Sequence, residues 1–453
     1  MHDIVRKVVS GRLEDMFEAD ALASDLSGRA MHHLVSELFP ICRSITGDGV
    51  RQTLRKVQEH IPLTTCEVPS GLKVFDWTVP PEWNIRDAYI KNSAGERIVD
   101  FRACNLHVVG YSVPVHVRLS LGELKKHLFS DPAHPDCVPY RTSYYAPTWG
   151  FCIAHDQLVA LQEDEYEVCI DSILEPGHLT YGQLRLSGKS SDEVLISCHV
   201  CHPSLGNDNL SGIAVATALA QHLRNRDLRY SYRFLFIPGT IGSITWLALN
   251  QSSIGKIKHG MVLTCVGDAG APTYKRSRRS NAEIDRAWIY TLQQSGSPFT
   301  VLPFSPFGYD ERQYCSPGID LPVGCFMRTP HGQFPEYHTS ADNVAFVKPA
   351  ALRDTLERAI ATIDVIENNA SYINQKPMCE PKLGDYGLYG GIGGKSAGDY
   401  QMALLWLLNM SDGDASLLDI AERSNLSWDL LTKAAEALTS AGLLKRVEDV
   451  SGK

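Results

Sequence analysis

The sequence predicts an α/β protein built on a mostly parallel sheet with helices on both faces, and three observations carry that expectation. Between residues 145 and 370 the short apolar runs VLISCHV, YRFLFIP, GMVLTCVG and LPVGCFM alternate with helical periodicity at 212–223, 242–250 and 283–295. Strands alternating with helices imply parallel pairing. The runs lack a polar alternate face, as strands buried on both sides do. With 453 residues, 44% hydrophobic and 21% charged, the chain has the composition of an ordinary globular protein and the length of two or three domains.

The elements follow in chain order. Residues 1–20 mix acids and bases at helical spacing, which suits a surface helix, and they lack the apolar core and cleavage site of a secretory signal. Met31, Leu34, Leu38 and Leu54 mark two helices on either side of the turn-like stretch Arg43–Gly49. From 62 to about 140 the texture becomes β-rich, with runs such as KVFDWTV and DAYIKNSAGERIVDF punctuated by proline and glycine. The aromatic stretches DWTVPPEW and TSYYAPTWGFC read as core, or as the wall of a pocket if this unit folds over a site.

After Pro377 and Pro381 comes the glycine-rich GLYGGIGGKS. Tyr389 stands where a phosphate-binding loop needs its first glycine and no strand precedes it, so the segment reads as a linker. Residues 399–447 then show three amphipathic helices and a short strand signal, the pattern of a winged helix. Over 385–453 ten acids face six bases, a balance opposite to that of a nucleic-acid reader, so a protein contact or internal packing is expected of it.

The net charge of −9 points to a small-molecule, sugar or short-peptide partner rather than nucleic acid or an anionic membrane. No apolar run approaches the roughly 18 residues of a membrane span. Twelve cysteines without a secretion signal read as reduced thiols, which places the expected location in the cytoplasm. Association with a second copy is left open.

In a parallel sheet the reactive residues belong at the carboxyl ends of strands, where His199, Pro238, Asp268 and the loop after Met327 fall. His199 ends a buried strand, Asp208 sits in Asn207-Asp208-Asn209 before a helix start, and His338 lies in FPEYHTSADN beside Glu336 and Tyr337. One carboxylate and two imidazoles on loops suit a catalytic zinc with an open position. The run Gly308-Tyr309-Asp310-Glu311-Arg312-Gln313 reads either as a solvated turn or as substrate recognition. In the second case Arg312 would hold a carboxylate or phosphate and Asp310 or Glu311 an amino group. Lys275, Arg276, Arg278 and Arg279 form a local basic patch, a solvated loop or a seat for an acidic group near Asp268.

At these residues the chain resembles the co-catalytic zinc aminopeptidases, whose fold the glutaminyl cyclases share. VLISCHVC resembles their strand ending in His-x-Asp, NDNLSG their Asp-Asn-x-Ser-Gly helix start, and FPEYHTSADN their Pro-x-x-His-Thr-x-x-Asp. A closer resemblance, along nearly the whole chain, is to an aminopeptidase-like family with an inserted β domain and a winged-helix tail. VPSGLKVFDWTVPPEWNI, NLHVVGYSVPV, WGFC, CHPSLGNDNLSG, TIGSITWL and YDERQYCSPGIDLPV carry it. It implies a zinc-aminopeptidase-like catalytic domain over 20–61 and 141–376, an inserted domain over 62–140 and a winged helix over 385–453.

The resemblance further implies metal ligands at His199, Asp208 and His338, with Asp208 bridging if two metals bind. It also implies a carboxylate after the GMVLTCVG strand, for which Asp268 is the candidate and Cys265 an equally placed alternative. The chain departs from the pattern twice. Cys201 replaces the orienting aspartate, so His202 becomes a ligand or substrate contact. Gly239 replaces the usual glutamate of Pro-Glu-Thr-Ile-Gly-Ser, and losing a general base costs roughly 10²- to 10⁴-fold.

Either Glu336 or Glu311 takes over that role, or the reaction differs, or the chain is inactive. One zinc is expected and two remain open. The expected activity is zinc-dependent cleavage of an amino-terminal residue or small amide, in small-metabolite or surface-polymer synthesis. Its rivals are a metal-dependent cyclase or transferase and a non-catalytic binding protein.

Overall fold

The computed structural model describes residues 6–8, 21–388 and 395–447. The first unit comprises 1–282 and 298–359, the second 283–297 and 360–453. Within the first, nine strands form one sheet. They are β1 (Arg6–Val8), β2 (Thr64–Pro69), β3 (His178–Leu186), β4 (Glu193–His199), β5 (Ser231–Ile237), β6 (Ile257–Leu263), β7 (Thr273–Lys275), β8 (Thr300–Leu302) and β9 (Val323–Met327).

Their spatial order is β1-β2-β3-β5-β4-β6-β9-β7-β8. The centre, β5-β4-β6-β9, is parallel, while β1, β2 and β3 on one side and β7 on the other join antiparallel. The apolar runs therefore become the parallel centre. Every residue of β4 is buried. The helix Ser211–Arg224, buried nearly all round, returns the chain from β4 to β5. Gly212 at its start permits the approach, because a Cβ there would stand 2.5 Å from the Leu263 carbonyl oxygen.

Two sheet memberships differ from the sequence expectation. β2, expected in the inserted unit, pairs with β3 in the large sheet. The strand Glu165–Glu175, expected in the catalytic domain, instead pairs with Glu82–Lys91 and Val115–Ser120 in a four-stranded sheet completed by Arg97–Asp100. The small sheet thus continues past residue 140. The reason is visible in Glu165–Glu175 itself, whose alternate residues are buried as in a one-sided antiparallel strand. Of the expected N-terminal helix, Arg6–Val8 is a strand and the remainder lies outside the described residues, as do 389–394 of the glycine-rich stretch.

The second unit holds the expected three helices, Lys395–Met410, Leu417–Ser424 and Trp428–Ser440. A three-stranded sheet of Asp412–Ser416, Ser371–Asn374 and Leu444–Arg446 accompanies them, so its first strand precedes residue 385. The helix Glu283–Gln294, read from sequence as part of the α/β layer, belongs here. Its Arg286 reaches Asp419 at 2.6 Å and Glu422 at 2.5 Å. Among the described residues no helix is long and apolar enough to cross a membrane.

Candidate metal centre

The centre is built on the end of β4. His199, its last residue, is wholly buried, and its Nε2 lies 2.8 Å from Asp208 Oδ1. The other carboxylate oxygen, Oδ2, lies 3.1 Å from His338 Nε2. One aspartate thus joins two imidazoles that are far apart in sequence. His202 completes the cluster, since its donor atom and those of His199 and Asp208 all lie within 4.8 Å of one another.

Each member is held by its backbone. Asp342 accepts the N–H groups of Asn207 at 2.6 Å and Asp208 at 3.0 Å, which fixes the turn between β4 and the following helix. Burial pushes the Asp342 acid up to about 8, against the pull of those two N–H groups. The buried Arg43 donates from Nε to the His202 carbonyl at 2.9 Å and from Nη1 to that of Leu38 at 2.7 Å. His338 has φ 56°, a left-handed conformation unusual for a side chain with a Cβ. It is kept there by the segment 138–140: Tyr140 N–H donates to the His338 carbonyl at 2.7 Å, and Ser340 exchanges bonds of 2.9 and 3.0 Å with Val138.

The electrostatics suit a cation. Burial opposes ionisation of Asp208, yet His202, His199 and His338 around it hold its carboxyl well below the usual range. Burial holds His202 well below the usual imidazole value, so its ring is neutral and has a lone pair to give. His338, with a third of its side chain exposed, leaves the cluster open on one side. An anionic carboxylate surrounded by imidazoles is a donor set that fits zinc.

The other residues named from sequence fall around this centre. Asp268 is buried and does not face the cluster: its oxygens accept from Asn207 Nδ2 (3.0 Å), Thr329 Oγ1 (2.7 Å) and N (3.2 Å), and Gly270 N (2.6 Å). It braces the neighbour of Asp208. Cys265 is also buried, at φ 49°. Tyr337 stacks on His338, with ring centres 4.0 Å apart. Glu336 is half-buried two residues before His338, and its carbonyl accepts from Thr339.

Arg312 is exposed, whereas Asp310 and Glu311 are wholly buried. Glu311 pairs with Lys275 at 2.7 Å and accepts the Tyr309 N–H at 3.0 Å, so it serves the loop's own structure. Of the basic patch, Lys275 is spent there, and Arg278 and Arg279 pair with Asp320. Lys275→Met strands a buried carboxylate and is expected to cost about 3–5 kcal/mol, with Lys275→Met/Glu311→Gln recovering much of it in denaturant melts. Equal losses in the two proteins would show that the pair does not act as a unit.

Four site residues were given no role of their own in the sequence. Tyr140 sets its ring edge-on to His202 and His338, with centroids 5.1 Å from each. His331, its imidazole held below the usual value by burial, meets Thr264 Oγ1 at 3.2 Å. Asp342 was in view as the last acid of HTSAD, with nothing to show that it anchors a turn 134 residues away. Tyr309 bears on both departures from the peptidase pattern. Its ring lies 4.0 Å from that of His199, and a Cβ added to Gly239 would stand 1.9 Å from its Cε1. Its hydroxyl lies 3.2 Å from Cys201 Sγ and donates to the Gly239 carbonyl at 3.3 Å.

A mixed sheet with a parallel centre, carrying histidines and an aspartate at its strand ends, defines an aminopeptidase-like α/β protein, here joined to a winged helix. A family model described as a domain of unknown function (DUF4910) matches residues 32–369, and one described as a winged helix-turn-helix matches 370–446. The chain belongs to this DUF4910 family.

A Clostridium acetobutylicum protein named for polysaccharide biosynthesis, with an aminopeptidase-like domain, is 51% identical over 94% of this chain and 98% of its own. A crystal structure from that organism, titled as a peptidase, is 48% identical with a TM-score of 0.90, covering 94% of this chain and 99% of that one. A zinc aminopeptidase from Bacillus subtilis shares the fold at 12% identity and a TM-score of 0.54, over 75% of this chain and 94% of its own. A peptidase M28 precursor from Shewanella amazonensis does so at 14% and 0.53, over 77% and 97%.

Proposed function

We propose that the chain is a zinc-dependent, aminopeptidase-like enzyme acting on the amide of a small or amino-terminal substrate in polysaccharide biosynthesis. The observation that carries this reading is Asp208, whose two oxygens each meet an imidazole Nε2 while His202 stands beside them. Asp208, His199, His338 and His202 would hold the metal. When bound, zinc supplies a Lewis acid for a carbonyl oxygen and lowers the pKa of a bound water.

The chain's own groups do the rest. Tyr140 packs edge-on and Tyr337 face-on against the His338 ring, and we assign to them the orientation of what enters beside it. Tyr140 also bonds Tyr144 through their hydroxyls at 3.0 Å, and Tyr144 leads in sequence to the exposed Tyr145, which meets Trp77 at 5.7 Å. These rings form the substrate wall, and aromatic faces of this kind suit a sugar or another flat group. Glu336 is the carboxylate we assign to moving a proton, because residue 239 has no side chain to do so. The zinc aminopeptidase fold of the Bacillus subtilis relative and the biosynthetic name of the Clostridium relative support the reading.

A second reading keeps the metal and drops hydrolysis. It is favoured by Tyr309, which fills the space a carboxylate at 239 would use. Zinc content and turnover of aminoacyl amides and amino-sugar amides, measured for the natural chain and His338→Ala, test both. Zinc lost and turnover abolished together in His338→Ala is the expected result. Zinc-dependent consumption of a substrate without uptake of water favours the second reading, and no zinc in the natural chain removes both. We infer that the winged helix, acidic over its segment, engages protein rather than nucleic acid.

A further inference from the structure

Among the buried polar atoms around the centre without a hydrogen-bond partner are His199 Nδ1 and Asp310 Oδ2. Both residues are wholly buried, so bulk water does not satisfy either atom. Asp310 is anchored by its other oxygen, which accepts from Ser243 Oγ at 2.8 Å in the first turn of the helix Ile241–Leu249. Its chain neighbour Tyr309 lies over the His199 ring at 4.0 Å, which brings the loop 308–314 to that side of the imidazole.

An imidazole that gives its Nε2 lone pair to a metal carries its proton on Nδ1, and that N–H needs an acceptor. The position two residues on is Cys201, and its sulfur is turned to the Tyr309 hydroxyl and the Gly239 carbonyl. The orienting carboxylate must come from another part of the chain.

We infer that Asp310 is the positioning residue of His199: Nδ1–H donates to Asp310 Oδ2, through a small ring rotation or one bridging water, and fixes the tautomer that points Nε2 at the metal. No proton leaves the pair, and Asp310 remains a carboxylate. The inference rests on the metal reading above. It removes Asp310 from direct substrate recognition and makes the YDERQ loop a brace, with Glu311 holding the loop and Asp310 holding the ligand.

The test uses the full chain loaded with zinc. Zinc affinity by chelator competition is expected to fall roughly 10- to 100-fold in Asp310→Asn and to return in part in Asp310→Glu. Nitrogen-15 histidine spectra of the natural zinc-loaded chain, with His199 assigned through His199→Gln, should show a protonated, solvent-protected Nδ1. This reading needs no Asp310 variant to fold. Unchanged affinity in Asp310→Asn, or a His199 whose proton sits on Nε2 or exchanges freely, overturns the inference while leaving the zinc enzyme standing. A natural chain that binds no zinc overturns both.

Discussion

Asp208→Asn is expected to abolish zinc binding, with metal content falling from about one per chain to background and affinity by more than about 100-fold. The carboxylate is the only anion in the cluster His199, His202 and Asp208, and both of its oxygens face imidazole nitrogens. An amide of the same shape keeps one acceptor, turns an NH2 toward the other imidazole and removes the charge that offsets a dication. The fold should survive, because the turn is held through backbone N–H groups bound to Asp342 rather than through the Asp208 side chain. Elemental mass spectrometry on protein purified without chelator, beside a thermal melt, makes the comparison. Full zinc retention in a folded Asp208→Asn would refute the assignment of the centre.

Gly239→Glu alone should destabilise the chain without creating a peptidase. A Cβ at 239 would come within 1.9 Å of Tyr309 Cε1 and 2.7 Å of Cζ, so the ring would have to leave the face of His199. Overpacking of this kind costs about 1–3 kcal/mol or more. Gly239→Glu/Tyr309→Ser removes the ring and leaves room for the carboxylate beside His199. In the double variant, stability should recover, a second zinc should bind, and amide hydrolysis should rise by roughly 10²-fold or more as a carboxylate beside His199 takes over the proton transfer assigned to Glu336. Metal stoichiometry and turnover measured on the three proteins decide the matter. A double variant with one zinc and unchanged turnover would mean that the absence of a glutamate at 239 limits neither metal count nor turnover in this chain.

Much of the α/β layer was legible because its strands are apolar on both faces and its helices periodic. The sheet membership of β2 and Glu165–Glu175 was not, because both are alternating runs whose partner is settled only by tertiary pairing. The clustered residues Asp208, His199 and His338 could be read from sequence because each sits at a strand end or in a compact motif. Their supports could not. Asp342 and Asp208 are 134 residues apart, and Tyr309 and Gly239 are 70 apart. Asp268 had the right residue type in the right place, yet its oxygens are taken up by Asn207, Thr329 and Gly270. Asp310 and Glu311 sit side by side with opposite errands, one toward His199 and one toward Lys275, which side-chain direction alone decides.

The pairing of 138–140 with 338–340 has a consequence for how the protein matures. His338 follows Asp208 by 130 residues, so at a synthesis rate of about 5–20 residues per second the ribosome delivers it roughly ten seconds after the rest of the cluster. Until then His199, His202 and Asp208 form an incomplete nest, and the edge at Val138–Tyr140 waits without its partner. When the late loop arrives, its bonds to that edge hold His338 beside Asp208. If the cluster takes up zinc as proposed, chains that stall before residue 338 should hold it more weakly than chains that include that loop.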